Sequence, residues 1–154
     1  MIAHIPKALA VLILLAGVPG VGGSANAHGS SVSCGDVLTT NTTLKADLAC
    51  DVNALTVGAD GIVINLNGHT VTARPNGSGS YPAYGVDNSG GFDRVVVKNG
   101  SIAGFREAAV YFDGVHDSVI ARIDAVDNSR AMFILNSSRN TVRRNKVSDN
   151  ALDA

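Results

Sequence analysis

The sequence has no tryptophan, a single glutamate (Glu107), two cysteines and only four prolines in 154 residues. With 17 glycines and 13 asparagines beside that one glutamate, a helical protein is disfavoured, because Glu, Lys and Leu fill helices whereas Asn and Gly fill turns. Neither sign of charge dominates: 12 basic against 13 acidic residues provide no electrostatic footprint for nucleic acid. Long apolar runs are missing too, since the one at Ala8 to Val21 falls short of the ~20 residues that span a bilayer. Signatures of nucleotide-binding loops, zinc proteases and serine hydrolases are absent. So is the nonapeptide calcium repeat, and Asp124, Asp127 and Asp149 are spaced as turn residues rather than as a hard-ion cage. Neither a metal nor a cofactor is expected.

What the chain does contain is a phrase repeated three times between Asp93 and Asn150. Val97, Ile120 and Val142 form one column, and Ile102, Ala125 and Val147 a second, with spacings of 23 and 22 residues in both. Val110 and Met132, Phe112 and Ile134, and the pairs Asp127-Asn128 and Asp149-Asn150 recur at 22. A period in the twenties narrows the architecture to leucine-rich repeats or a parallel β-helix. The Leu-x-x-Leu-x-Leu frame is not found between residues 84 and 154. The expected fold is therefore all-β, a right-handed parallel β-helix of roughly five turns with about 22 residues each. Its inward residues would stack down the axis, with an amide ladder beginning at Asn128 and continuing at Asn150.

Met1 to Lys7, the apolar stretch that follows and Ala25-Asn26-Ala27 have the form of a cleavable signal peptide over residues 1–27. The mature chain would start at His28, outside the cytoplasm (secreted or periplasmic), with no membrane attachment. Cys34 and Cys50 would then meet an oxidising compartment and form a bridge, closing a loop worth on the order of 3 kcal/mol. Residues 28–60 are expected to form an N-terminal cap with the first strands, and 61–154 the repeats. Residues 145–154 read as the middle of a repeat, so end-to-end self-association, or stacking against further repeats, is expected.

Cys34-Gly35, Thr43-Leu44, Asp47-Leu48, Cys50 and Ile64 to Val71 ("INLNGHTV") resemble the opening of secreted right-handed parallel β-helix repeat proteins, and the resemblance extends through the repeats to residue 150. Families with this fold include pectate lyases, polygalacturonases, and alginate epimerases and lyases, so the resemblance implies the fold and, more loosely, an acidic polysaccharide partner. Residues 74–83 ("RPNGSGSYPA") are a surface insertion of about eight residues, of the kind that shapes binding grooves.

Asp113, His116 and Asp117 are the catalytic candidates. They are faintly similar to the Tyr-Gly-x-Asp-Pro-His-Asp pattern of alginate epimerases and lyases, with Gly114-Val115 in place of one Pro, and a histidine beside carboxylates could abstract a sugar-ring proton. In that arrangement Asp113 or Asp117 orients His116. Tyr84 and Tyr111 are candidates for sugar contact, with Tyr81 and Phe112 nearby, and Arg122 and Arg144 for bidentate contact with substrate carboxylates. Two functions follow: a noncatalytic glycan-binding or structural module, favoured because no paired or triple Asp recurs toward a groove, and a lyase, C5-epimerase or glycoside hydrolase. Mass analysis after export should find a chain that starts at His28 and is two hydrogens lighter than the dithiol form; a mass matching free thiols would remove the bridge.

Overall fold

A computed structural model describes residues 31–152, so the expected leader, 1–27, lies outside the described residues. The strands run in chain order as β1 (Asp36–Leu38), β2 (Thr42–Thr43), β3 (Leu48–Cys50), β4 (Leu55–Val57), β5 (Val63–Asn65), β6 (Thr70–Ala73) and β7 (Tyr84–Asn88). They continue as β8 (Val96–Ala103), β9 (Ala108–Asp113), β10 (Val119–Val126), β11 (Arg130–Leu135), β12 (Thr141–Arg143) and β13 (Lys146–Ser148). Every named strand pairing is parallel and joins one coil to the next. One sheet contains β1, β4, β7, β9 and β11, one strand from each of five coils. The other strands form the remaining sides, with β8 and β10 long enough to pass round a corner and pair along both arms.

The register matches the columns seen in the sequence. Ile120 lies between Val97 and Val142, Ala125 between Ile102 and Val147, and Val110 and Phe112 pair with Met132 and Ile134. Val71 pairs with Ile102 across the 74–83 insertion, which leaves the coil without disturbing the columns on either side. Inward residues form one continuous apolar core, from Leu38 and Leu44 through Leu55, Ile64 and Leu66 to Phe112 and Ile123. At Gly100 the neighbouring coil comes so close that a Cβ would collide with Leu66 and the His69 carbonyl oxygen.

The Cys34–Cys50 disulfide is present, with Cα atoms 5.5 Å apart. The segment it closes is itself the first coil: β1, β2 and β3 pair with β4, β5 and β6. What the sequence suggested as a cover over the core thus also supplies its first layer.

Corners pose the harder problem, because a chain that turns sharply loses its regular ladder and leaves backbone groups to be satisfied some other way. Two devices recur. Single residues in the left-handed region turn the chain at stacked positions, with Arg94, Asp117 and Arg139 at φ 57, 55 and 57°, and Asn99, Arg122 and Arg144 at 62, 55 and 57°. Asparagines then clamp the coil above. Asn140, Asn145 and Asn150 accept from the backbone N–H of Ser118, Ile123 and Asn128 at 2.9, 2.9 and 3.0 Å. Their Nδ2 groups donate to the carbonyls of Val115, Ile120 and Ala125 at 2.8, 3.1 and 3.0 Å.

One coil earlier, the Ser118 hydroxyl accepts from Val95 N–H at 2.9 Å, and Asn128 Oδ1 accepts from Phe105 N–H at 3.0 Å. The amide ladder is closed by Asn128 Nδ2 donating to Asn150 Oδ1 at 3.2 Å. Asn128 is 2% exposed, so truncating it strands a buried N–H and a buried carbonyl. Asn128→Ala should cost about 2–4 kcal/mol, read from the denaturation midpoint, since each unsatisfied buried polar group costs roughly 1–3 kcal/mol. Asn150→Ala, in a more open position, should cost clearly less; equal losses would refute the burial argument.

Candidate functional site

The structure gives each of the catalytic candidates a different hydrogen-bond partner. Asp113 accepts from the Tyr111 hydroxyl at 3.2 Å and from Asn136 Nδ2 at 2.8 Å. Asp117 is held by the Arg139 guanidinium in a two-pronged contact at 2.7 and 2.8 Å. His116 turns to neither of them: its Nδ1 lies 3.1 Å from Asp93 Oδ1, which also accepts the His116 backbone N–H at 2.7 Å. The orienting carboxylate is thus Asp93, one coil away, and not Asp113 or Asp117. In a stacked coil the neighbour of a corner residue is the same corner one period earlier, not the adjacent residue in sequence.

The same device occurs at another corner. Asp47 Oδ1 accepts Thr70 N–H at 2.9 Å and lies 3.1 Å from His69 Nδ1. Backbone hydrogen bonds, first of all, hold the carboxyls of Asp47 and Asp93 below the ordinary aspartate value of 3.8. For Asp117 the leading cause is the Arg139 side chain. One Asp93 oxygen thus holds both the imidazole and the backbone N–H of His116, which ties one coil to the coil before it.

Tyr84 and Tyr111 do come together, stacked with ring centroids 4.6 Å apart, and Phe133 continues the column 5.5 Å from Tyr111. Arg130 lies over the Phe133 ring at 4.5 Å. Desolvation, then the nearby carboxylates Glu107 for Tyr84 and Asp113 for Tyr111, raises both phenol pKa values. Asp87 lies in register with Tyr111, so this face carries Asp87, Glu107 and Asp113, and the guanidiniums of Arg106 and Arg130 both reach Glu107. Phe112 is absent from the face because it is fully buried in the core.

Arg122 and Arg144 occupy a different edge. Each sits in the left-handed region at the corner between the two arms of a coil, at stacked positions, while the tyrosines belong to the third side. A single surface combining both sets, as the sequence suggested, does not form. Their edge is nonetheless cationic: Lys98 and Arg143 share the adjoining column, with the buried Ala121 between them. Lys98, Arg122, Arg143 and Arg144 have no carboxylate partner among the described residues, whereas Lys146 reaches Asp124 at 3.4 Å. Arg122 Nε donates to Asn99 Oδ1, and Asn99 Nδ2 in turn to Asn65 Oδ1 at 3.0 Å, so the base of the stripe is fixed by an amide column.

Asp93, Phe133 and Lys98 were not singled out in the sequence. Subtracting 23 from His116 gives Asp93, adding 22 to Tyr111 gives Phe133, and stepping back two periods from Arg143, the neighbour of Arg144, gives Lys98. Comparison with known proteins agrees with this geometry. No curated protein and no solved structure matches the chain significantly. The profile of the family described as "Right handed beta helix region" matches residues 38–154, most of the chain and all of the coils beyond β1. On that match and on the five-coil architecture, the chain belongs to the right-handed β-helix family.

Proposed function

We propose that this chain is a noncatalytic β-helix module of an extracytoplasmic protein, and that it binds an acidic polysaccharide along the edge formed by Lys98, Arg122, Arg143 and Arg144. The observation that carries the reading is the cluster of four cations on three successive coils, none paired with a carboxylate among the described residues. A polyanion lying parallel to the axis would meet at least one cation on each of these coils, which follow one another at about 4.8 Å. Guanidinium is suited to the task because its planar fork matches a carboxylate. The disulfide fits an oxidising compartment.

Catalysis at Asp113, His116 and Asp117 finds less support, because each of the three is already engaged in a contact that holds the corner. The acidic surroundings of Tyr84 and Tyr111 also suit a polyanion poorly, so the tyrosine face serves this reading less well than the arginine edge.

Alginate and pectate, with neutral glycans as controls, provide the test, read by both binding and product formation. Binding should be confined to the polyanions and weaken as salt is raised, because exposed charges are screened. Loss of Arg122 and Arg144 together, R122A/R144A, should cost about 1–2 kcal/mol in total, roughly 5- to 30-fold in Kd. His116→Ala should leave binding unchanged. Product formed by the native chain and lost in His116→Ala would establish the enzyme instead, and absence of binding to any polyanion would end the proposal.

His116 and Asp93 should reveal themselves in stability. Asp47, Asp93 and Asp117 have folded pKa values below 3.8, so the native state binds fewer protons than the unfolded chain. Their contribution is complete well above that value and is lost as pH falls through it toward the folded values. The denaturation midpoint should therefore decline from about pH 5 downward, and Asp93→Asn should be less stable at neutral pH with a shallower acid decline. An unchanged acid slope would mean that Asp93 is not a clamp.

A further inference from the structure

The 74–83 insertion forms one wall of an open groove of about 480 Å³, lined by Tyr81, Gly104, Phe105, Arg106, Asp127 and Ser129. The groove is shallow and open, so a ligand seated in it would keep one face in solvent. The wall is held in place. Asn76 Oδ1 accepts from the N–H of Ser78 and of Ser80, each at 3.0 Å, and from the Ser78 hydroxyl at 2.7 Å. The Pro82 and Ala83 carbonyls accept Arg106 N–H and Glu107 N–H at 2.9 and 3.0 Å, tying the end of the loop to the coil corner.

Tyr81 therefore stands on an anchored loop yet is 46% exposed. The floor opposite is mostly backbone: Gly104 turns the chain at φ +80° and has no side chain, while Phe105 is fully buried with its ring in the core. Arg106 lies 3.2 Å from Glu107, which it shares with Arg130. Asp127, exposed and in the left-handed region, has no ion-pair partner among the described residues and is the groove's unmatched charge.

We propose that this groove binds one neutral sugar residue, with its ring against Tyr81 and its hydroxyls on Asp127 and Ser129. An aromatic wall beside a carboxylate and a hydroxyl complements a polyol that has an apolar ring face and several O–H donors. The unmatched carboxylate disfavours a uronate, whose charge has the same sign. This site is independent of the arginine edge: it lies at a different corner, and its ligand differs in charge.

Of the three tyrosines only Tyr81 lines the groove, so binding is followed by ligand-observed NMR, which does not depend on the residue to be replaced. The full chain is titrated at low salt with glucose, galactose, mannose and xylose, and with glucuronate and galacturonate. At least one neutral sugar should bind saturably, and at least about tenfold tighter than its uronate. Tyr81→Ala should weaken that binding about tenfold with an unchanged circular dichroism spectrum, whereas R122A/R144A should leave it intact. Asp127→Asn, which keeps a residue at ease in the left-handed region, should narrow the gap between neutral sugar and uronate. Lack of saturable binding to every neutral sugar, equal affinity for the uronates, or indifference to Tyr81→Ala would each overturn the proposal. Loss of sugar binding together with retained polyanion binding would strike this site and spare the arginine edge.

Discussion

Everything in this molecule depends on keeping backbone groups satisfied where the chain turns a corner. Along the arms of each coil the parallel ladders do this unaided, but at the corners an N–H or carbonyl would be left inside the stack. Asn140, Asn145 and Asn150 meet the need with one geometry used three times, each accepting from the coil above and donating back to it. An asparagine is suited to this because its side chain offers donor and acceptor side by side, as a peptide group does. Apolar columns can then pile up behind corners that no longer require water. At the corners of β2 and β5, Asn41 and Asp47 do similar work, accepting the N–H groups of Val63 and Thr70.

Much of this was legible in the sequence, and the reasons are physical. Inward positions repeat because each must fill the same cross-section, so Val97, Ile120 and Val142 declare themselves by period alone. The partial legibility of the Asn ladder has the same origin. Asn128 and Asn150 stand in one column and were found by comparing coils, whereas Asn140, Asn145 and Asn150 stand five residues apart in one coil, a spacing that only the three-cornered shape explains.

Side-chain partnerships were much harder to read. The sequence places His116 beside Asp117, and nearest-neighbour reasoning makes them a pair; the fold sends Asp117 to Arg139 and brings Asp93 to His116. Phe112 and Tyr111 are likewise adjacent in sequence, yet one is wholly inside the coil and the other stacks on Tyr84 outside it. In a solenoid, contact follows the period, so a motif of consecutive residues says less about chemistry than the same position in three coils.

The distribution of charge follows from the same geometry. Residues in one column face the same way for as long as the column lasts, so a cation placed at one corner is readily joined by others above and below. Lys98, Arg122, Arg143 and Arg144 make one edge basic, while on another side Asp87, Glu107 and Asp113 outnumber Arg106 and Arg130 around the tyrosines. A chain whose basic and acidic residues nearly cancel, 12 against 13, can in this way present edges of opposite character. Net charge therefore says little about what a coil of this kind binds, whereas the charge of each column says a good deal. Because repeats contact only their neighbours, a substitution on one edge has little route to another except through the shared rung. The arginine edge, the groove beside Tyr81 and the clamp at Asp93 can thus vary separately, provided that the corner amides that align all three remain in place.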